Sequence, residues 1–411
     1  MKRPPALVAR LRALLGPDTA GARQSLVALS LNSSTSLLAG AFLGAITSTL
    51  EDFPGLLVLV PAAIGLRGNI FGAFGNRIST TIHSGTFRLS VRRETVLGQN
   101  VLATMILTLG MSLLLAVVAK AAAVGLGVPG TIGLLDLSTI SIVGGVLGSA
   151  VVLACTLGLT AGAVRYGWDL DNVSAPLVSV LGDVLTLPAL FLATFLIGIH
   201  IVTPTLGTVL AAAAVVALGV GLRTNLEQLR RIVRESLPVL LFAGSVSAGA
   251  GIALEKGFAS FATYPALLVL VPAHLSSAGA LGGILSGRLS TKLLLGLVAT
   301  TPTPDRDARR DISLTVLIGA PVYLLNGVGA HFVGRLTGAA SPGLATMVAV
   351  SMVAGLAAMV VVVIMAYYGA IASVRTGVDP DTYGIPVVSS TVDFVGAVAL
   401  IITISSLGVV D

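Results

Sequence analysis

Long apolar runs separated by short polar segments fill most of the 411-residue chain. A run of about 20 apolar residues is long enough to cross a bilayer as a helix. The second element of each half is long and rich in glycine, so we expect it to be broken or kinked. The pattern predicts eleven spanning elements, near 25–50, 53–85, 95–123, 139–164, 174–200, 203–222, 236–257, 262–298, 311–336, 342–373 and 384–409.

Composition supports a membrane protein. Hydrophobic residues make up 55% of the chain and charged residues 10%, whereas an average soluble domain carries about 25% charged residues. The mean hydropathy is +1.00. The net charge of +6 comes largely from arginines in short loops, which indicates membrane orientation and not nucleic-acid binding. The sequence therefore predicts an all-α integral membrane protein embedded in the lipid bilayer.

Two segments of the chain occur twice. Residues 56–80 match 267–291 at twelve of twenty-five positions, and residues 164–183 match 374–393 at nine of twenty, in both cases without a gap. The matches include proline, glycine, arginine, serine and aspartate, which apolar composition alone does not explain. We therefore predict a basic amphipathic segment, a first five-helix repeat, a linking transmembrane helix with a cytoplasmic linker, and a second five-helix repeat, at 1–22, 23–200, 201–233 and 234–411.

Loop charge predicts the topology. Two directly fused five-helix units would be inverted in the membrane, but one linking helix between them makes the repeats parallel, about an axis along the bilayer normal. Nearly all loop arginine then lies on the side of the N-terminus, which the positive-inside rule assigns to the cytoplasm. We expect a multi-pass protein of the cell membrane with a cytoplasmic N-terminus and an extracellular C-terminus. The arginines concerned include Arg88, Arg92, Arg93, Arg223, Arg230, Arg231, Arg234, Arg306, Arg309 and Arg310.

Asp183 and Asp393 end the duplicated segments and lie within apolar runs. A carboxylate at the centre of a bilayer costs about 2.5–3.5 kcal/mol on insertion scales, so its presence in both copies indicates function. Facing carboxylates suit a hard divalent cation such as Mg²⁺. Cys155 is the only cysteine and the histidines show no ligand spacing, so softer metals are disfavoured. The alternative is that each aspartate only hydrogen-bonds a neighbouring helix.

Other polar residues near these segments are weaker candidates. Asn69 offers an amide oxygen to a hydrated ion, although the second repeat has Ala280 in its place. Ser179 and Ser389 each precede an aspartate by four residues and are candidate ion contacts. Four acidic residues before the fifth helices either cap those helices or form an acidic cytoplasmic vestibule that concentrates cations, namely Asp169, Asp171, Asp379 and Asp381.

The duplicated segments resemble the integral-membrane domain of the MgtE family of magnesium transporters, and more closely its solute carrier 41 relatives. The resemblance rests on the stretch from Pro61 through Gly68-Asn69 to Arg77, and on the P-x-x-S-x-x-x-D pattern that ends at each aspartate. It implies two fused MgtE-like membrane domains that form a pseudo-dimeric pore within one chain. It also implies Mg²⁺ as the transported substrate, with Asp183 and Asp393 at the centre, and no organic cofactor.

Two other readings remain open at this point. One is a Na⁺- or H⁺-coupled carrier of another small solute, and Na⁺ is also a candidate coupling ion for cation transport. The other, more remote, is an intramembrane aspartyl protease, which also uses two membrane aspartates. The protease pattern requires Gly-x-Gly-Asp, and Val180 occupies the first glycine position here. We therefore expect a transporter and not an enzyme.

Overall fold

The computed structural model describes residues 19–83, 87–166, 170–376 and 385–409. Within these ranges the chain forms thirteen α-helices and no strand. In order they are α1 (Thr19–Ala45), α2 (Thr47–Asp52), α3 (Leu56–His83), α4 (Val96–Gly125), α5 (Leu134–Tyr166), α6 (Leu170–Thr194), α7 (Val202–Arg223), α8 (Glu227–Lys256), α9 (Phe258–Thr263), α10 (Ala266–Leu294), α11 (Arg306–Leu336), α12 (Leu344–Thr376) and α13 (Ile385–Ser406).

The helices confirm an all-α integral membrane protein. In the described part of the chain, ten helices are long and apolar enough to cross a bilayer, and α6 contributes a shorter apolar stretch at Leu181–Thr194. These eleven elements correspond in order to the eleven predicted runs. The short helices α2 and α9 follow the first long helix of each half and lie 211 residues apart. The predicted basic helix at 1–22 falls almost entirely outside the described residues.

The glycine-rich elements are not broken as the sequence suggested. Helices α3 and α10 are continuous, with Pro61 and Pro272 inside their second turns. A proline removes one backbone donor from a helix but does not end it when surrounding helices hold it in place. Gly68 and Gly72, which prompted the expectation, have open space where a side chain would begin. These glycines therefore border cavities and do not mark a break.

The two halves of the chain exchange their first long helices. Helix α1 packs against α10 and α11, and α8 correspondingly packs against α3 and α4. The fifth spanning helix of each half, α6 or α13, packs against helices of its own half. Helix α6 contacts α3, and α13 contacts α10. The linking helix α7 lies at the periphery against α4, α5 and α8, and many of its apolar side chains are exposed. Neither half therefore completes its core without the other.

Each exchanged helix crosses its partner at a glycine. A Cβ atom on Gly40 would lie 2.0 Å from the carbonyl oxygen of Val269, and one on Gly251 would lie 2.3 Å from that of Val58. Both distances are far shorter than a van der Waals contact. Gly40 and Gly251 are 211 residues apart, as are Val58 and Val269, so the two crossings are equivalent. Small residues at helix crossings allow this close approach of backbones in membranes.

We predict that adding a methyl group at either crossing glycine destabilises the protein. Gly40→Ala and Gly251→Ala should each lower stability by about 1–3 kcal/mol, because the added methyl must push two backbones apart. Thermal unfolding of the purified protein in detergent measures the loss. Gly158→Ala is the control, since Gly158 is an exposed helical glycine with nothing within 4 Å of the added atom. Unchanged unfolding temperatures for both crossing variants would contradict the close packing.

Candidate cation site

Asp183 and Asp393 line the same cavity, which has a volume of about 290 Å³. Helices α1, α3, α6, α10 and α13 contribute its walls, so both halves of the chain build it. The two carboxylates are close enough to interact electrostatically. The polar side chains of the lining are those of Asn32, Asn69, Asp183, Ser276, Ser389 and Asp393. Four of the candidate residues from the sequence thus come together, while the side chain of Ser179 lies outside those described.

Asp183 is held by hydroxyl groups from two other helices. It lies near the middle of α6 and is 7% exposed. Its Oδ2 atom accepts hydrogen bonds from Ser36 of α1 at 3.0 Å and from Ser276 of α10 at 3.1 Å. The Ser276 hydroxyl in turn accepts from the Asn32 amide at 2.9 Å. This chain of donors orients the carboxylate at the cavity wall and offsets part of its desolvation cost.

Asp393 reaches between the two glycine-rich helices. It lies on α13, is partly exposed, and hydrogen-bonds to Ser247 of α8. A Cβ atom on Gly65 of α3 would lie 3.8 Å from its Oδ2 atom, and one on Gly279 of α10 would lie 3.9 Å from its Oδ1 atom. Glycine at both positions leaves the carboxylate free of side-chain contact there. Asp393 is therefore the less tightly bonded of the two carboxylates among the described residues.

Ser36 and Ser247 are equivalent contacts that the sequence analysis missed. They are 211 residues apart, and each bonds the fifth-helix aspartate of its own half. A weak signal was present, because Ser34, Ser36, Ala39 and Gly40 recur at the same offset as Ser245, Ser247, Ala250 and Gly251. No acidic residue lies near these positions in the first helices, so the sequence offers no charge there that would indicate a cation site.

The two carboxylates have different neutral polar groups around them. Ser276 occupies the position that Gly65 holds in the first half, and Asn69 occupies the position of Ala280. The extra hydroxyl of Ser276 therefore serves Asp183 alone, and Asn69 provides an amide that the other half lacks. The cavity is two-fold symmetric in its carboxylates but not in its neutral polar groups.

A second and larger cavity, of about 590 Å³, shares Gly68 and Asn69 with the wall of the first. It runs between α3 and α8 toward Thr80 and Gln228. Arg231 and Glu235 form a 2.8 Å ion pair in its wall, and the Nε atom of Arg77 donates to Asn100 at 2.7 Å. The larger cavity thus extends from the wall of the central cavity toward the end of the molecule at which α3 finishes and α8 begins.

The predicted acidic vestibule is outside what the structure describes. Asp169, Asp379 and Asp381 lie in undescribed ranges, and Asp171 belongs to α6 but its side chain is not among those described. Their role as vestibule or helix caps stays a prediction.

The chemistry of the central cavity suits an ion that keeps most of its water. The described residues contain no group of three or more histidine, cysteine, aspartate or glutamate side chains able to hold a metal. Two carboxylates and several neutral oxygens do not form a complete ligand cage. A volume of about 290 Å³ accommodates several waters, each of which occupies about 30 Å³ in the liquid. Mg²⁺ is typically held in this way, by one or two carboxylates together with water.

Comparison with known proteins connects this geometry to a family. The family model named MgtE, described as a divalent cation transporter, matches residues 60–193 and 271–403. Solute carrier family 41 member 3 of Rattus norvegicus is 23% identical over 266 residues, or 61% of this chain and 56% of the relative. The Mus musculus protein of that name is 23% identical over 253 residues, or 59% and 50%. The chain thus spans about half the length of these relatives, and no solved structure matches it.

We predict that removing either of these two hydroxyl groups weakens cation binding. Ser36→Ala and Ser247→Ala should each weaken binding of Mg²⁺ about tenfold, because a carboxylate that loses its orienting partner is a poorer ligand. The shift of the unfolding temperature with Mg²⁺ concentration measures this. Ser34→Ala and Ser245→Ala are matched controls, since both hydroxyls bond only a carbonyl of their own helix and face outward. Equal effects in all four variants would remove the serines from the site.

Proposed function

Because the chain belongs to the MgtE family of divalent cation transporters, we propose that it carries Mg²⁺ across the cell membrane through the central cavity. Asp183 and Asp393 are the charged ligands, and Asn69 and Ser389 contact the ion or its waters. The observation that carries this proposal is that two aspartates 210 residues apart line one cavity. The family consists of transporters, which excludes the protease reading.

The donor set favours Mg²⁺ over softer divalent cations. The lining of the central cavity contains carboxylate, amide and hydroxyl oxygens, and neither sulfur nor imidazole among the described residues. Hard oxygen ligands select Mg²⁺, Ca²⁺ or Mn²⁺, whereas zinc and copper sites usually include cysteine or histidine. The partial ligand set then favours Mg²⁺, which releases its waters reluctantly.

The larger cavity is the route that we assign to the cytoplasmic side. It opens near the arginine-rich segment at the start of α8, which the positive-inside rule places in the cytoplasm. The exchange of α1 and α8 supports two repeats, 23–200 and 234–411, related by a pseudo-two-fold axis along the bilayer normal. A single chain then forms the complete pathway as a pseudo-dimeric monomer, with its N-terminus inside.

Neutralising either aspartate tests the proposal. Asp183→Asn and Asp393→Asn should each reduce Mg²⁺ uptake into proteoliposomes by more than about tenfold, because the amide keeps the shape but loses the attraction for the ion. The exposed Asp52 supplies the control variant Asp52→Asn, which should transport normally. An amide still forms interhelical hydrogen bonds, so normal uptake by the double asparagine variant would leave the aspartates a structural role only. A Na⁺ gradient applied to the same vesicles tests Na⁺ as coupling ion.

Proton competition provides an independent test. A carboxylate must be ionised to bind a metal ion, so protons and Mg²⁺ compete for the pair. Uptake at subsaturating Mg²⁺ should therefore fall as the pH is lowered and recover when the Mg²⁺ concentration is raised. Initial rates measured over a pH series at two Mg²⁺ concentrations reveal this competition. A rate that declines equally at both concentrations would point to a titrating group outside the cation site.

A further inference from the structure

Arg67 is a buried cation that the transport pathway does not use. It belongs to α3, is 3% exposed, and directs its guanidinium toward α4 and α5. Its Nη2 atom donates to the carbonyl oxygen of Gly144 at 2.7 Å. Its Nε and Nη1 atoms have no hydrogen-bond partner among the described residues. Two charged donors are therefore left without an acceptor inside a membrane protein.

Hydroxyl groups surround these donors. The guanidinium borders a small cavity, of about 10 Å³, which is enough for the centre of one water-sized guest. The lining contains no acidic side chain, and its remaining members are apolar or glycine. Four hydroxyl side chains from α4 and α5 complete the wall, those of Thr108, Ser112, Ser141 and Ser149.

Glycines keep this cavity open. A Cβ atom on Gly148 would lie 2.8 Å from Cζ of Arg67, and one on Gly145 would lie 2.3 Å from Oγ of Ser112. Any larger residue at either position would displace the groups that line the cavity. The guanidinium is thus fitted against backbone that only glycine provides.

The second half of the chain fills the corresponding space with apolar groups. The equivalent positions of Arg67, Ser112 and Ser149 are Ala278, Tyr323 and Met359, at offsets of 211, 211 and 210 residues. The Tyr323 ring packs directly on Gly355, the counterpart of Gly145. The fold is therefore compatible with a filled core here, and the polar cavity is a property of the first half alone.

An arginine keeps its positive charge under these conditions, and an uncompensated charge in a low-dielectric interior costs several kcal/mol. A water molecule would accept from one of these donors but would not neutralise the charge. The volume excludes phosphate, sulfate and carboxylates. The Ser141 hydroxyl donates to the carbonyl oxygen of Ser112 and that of Thr108 to Ser149. We propose that the Arg67 cavity binds a single monatomic anion of the chloride class, held by the guanidinium and by the hydroxyl groups of Ser112 and Ser149.

Halide-dependent stability tests the site without relying on transport. Protein purified in gluconate should unfold at a temperature that rises by a few degrees as chloride replaces gluconate at constant ionic strength, because a ligand of the folded state stabilises it. Arg67→Met should abolish this rise, since it removes the charge and both free donors while keeping an unbranched apolar side chain. Arg288→Met removes a partly exposed arginine of α10 and should leave the rise unchanged. General salt effects act on all three proteins alike.

Bromide supplies a second measurement on the unaltered protein. Crystals grown in bromide should show an anomalous peak within hydrogen-bond distance of Nε or Nη1 of Arg67, which supports the proposal even if Arg67→Met fails to fold. A wild-type unfolding temperature that does not respond to chloride, or bromide crystals without that peak, would overturn the proposal and leave water as the occupant.

Discussion

The close crossing of two pairs of helices sets the position of everything else in this molecule. Gly40 of α1 and Gly251 of α8 each meet a valine carbonyl of the other half, at a separation that excludes any side chain. Ser36 and Ser247 lie one helical turn before these glycines, and residues four apart share a helix face. The crossings therefore fix the hydroxyls that bond Asp183 and Asp393, so backbone packing and the chemistry of the site depend on the same contact.

Interlocked halves also explain how a bilayer protein tolerates two neighbouring carboxylates. Each carboxylate carries a desolvation cost, and the pair repels. Hydroxyl donors from exchanged helices and a cavity large enough for several waters offset part of that cost. In the transport that we propose, a divalent cation offsets the remainder when it binds between the carboxylates.

Duplication did not leave the two halves chemically equal. Ser276 and Asn69 supply polar groups whose counterparts are Gly65 and Ala280, and Arg67 has Ala278 as its counterpart. The first half thus holds a buried cation in a small polar cavity, where the second half holds Tyr323. The duplicated positions that stay identical include the aspartates and the glycines at the crossings, on which both halves depend together.

By itself the sequence determined the membrane class, the eleven elements, the duplication and the two aspartates, because apolar periodicity and a charge in a bilayer leave strong local signals. It also suggested a break in α3 and α10, where the structure has continuous helices, since glycine and proline report local propensity and not the packing that overrides it. Only the tertiary structure decided that α1 and α8 exchange partners, that Ser36, Ser247 and Ser276 bond the carboxylates, and that Arg67 lacks an acceptor. These features depend on contacts between residues far apart in the chain. A sequence shows where serines and arginines occur but not whether they have hydrogen-bond partners.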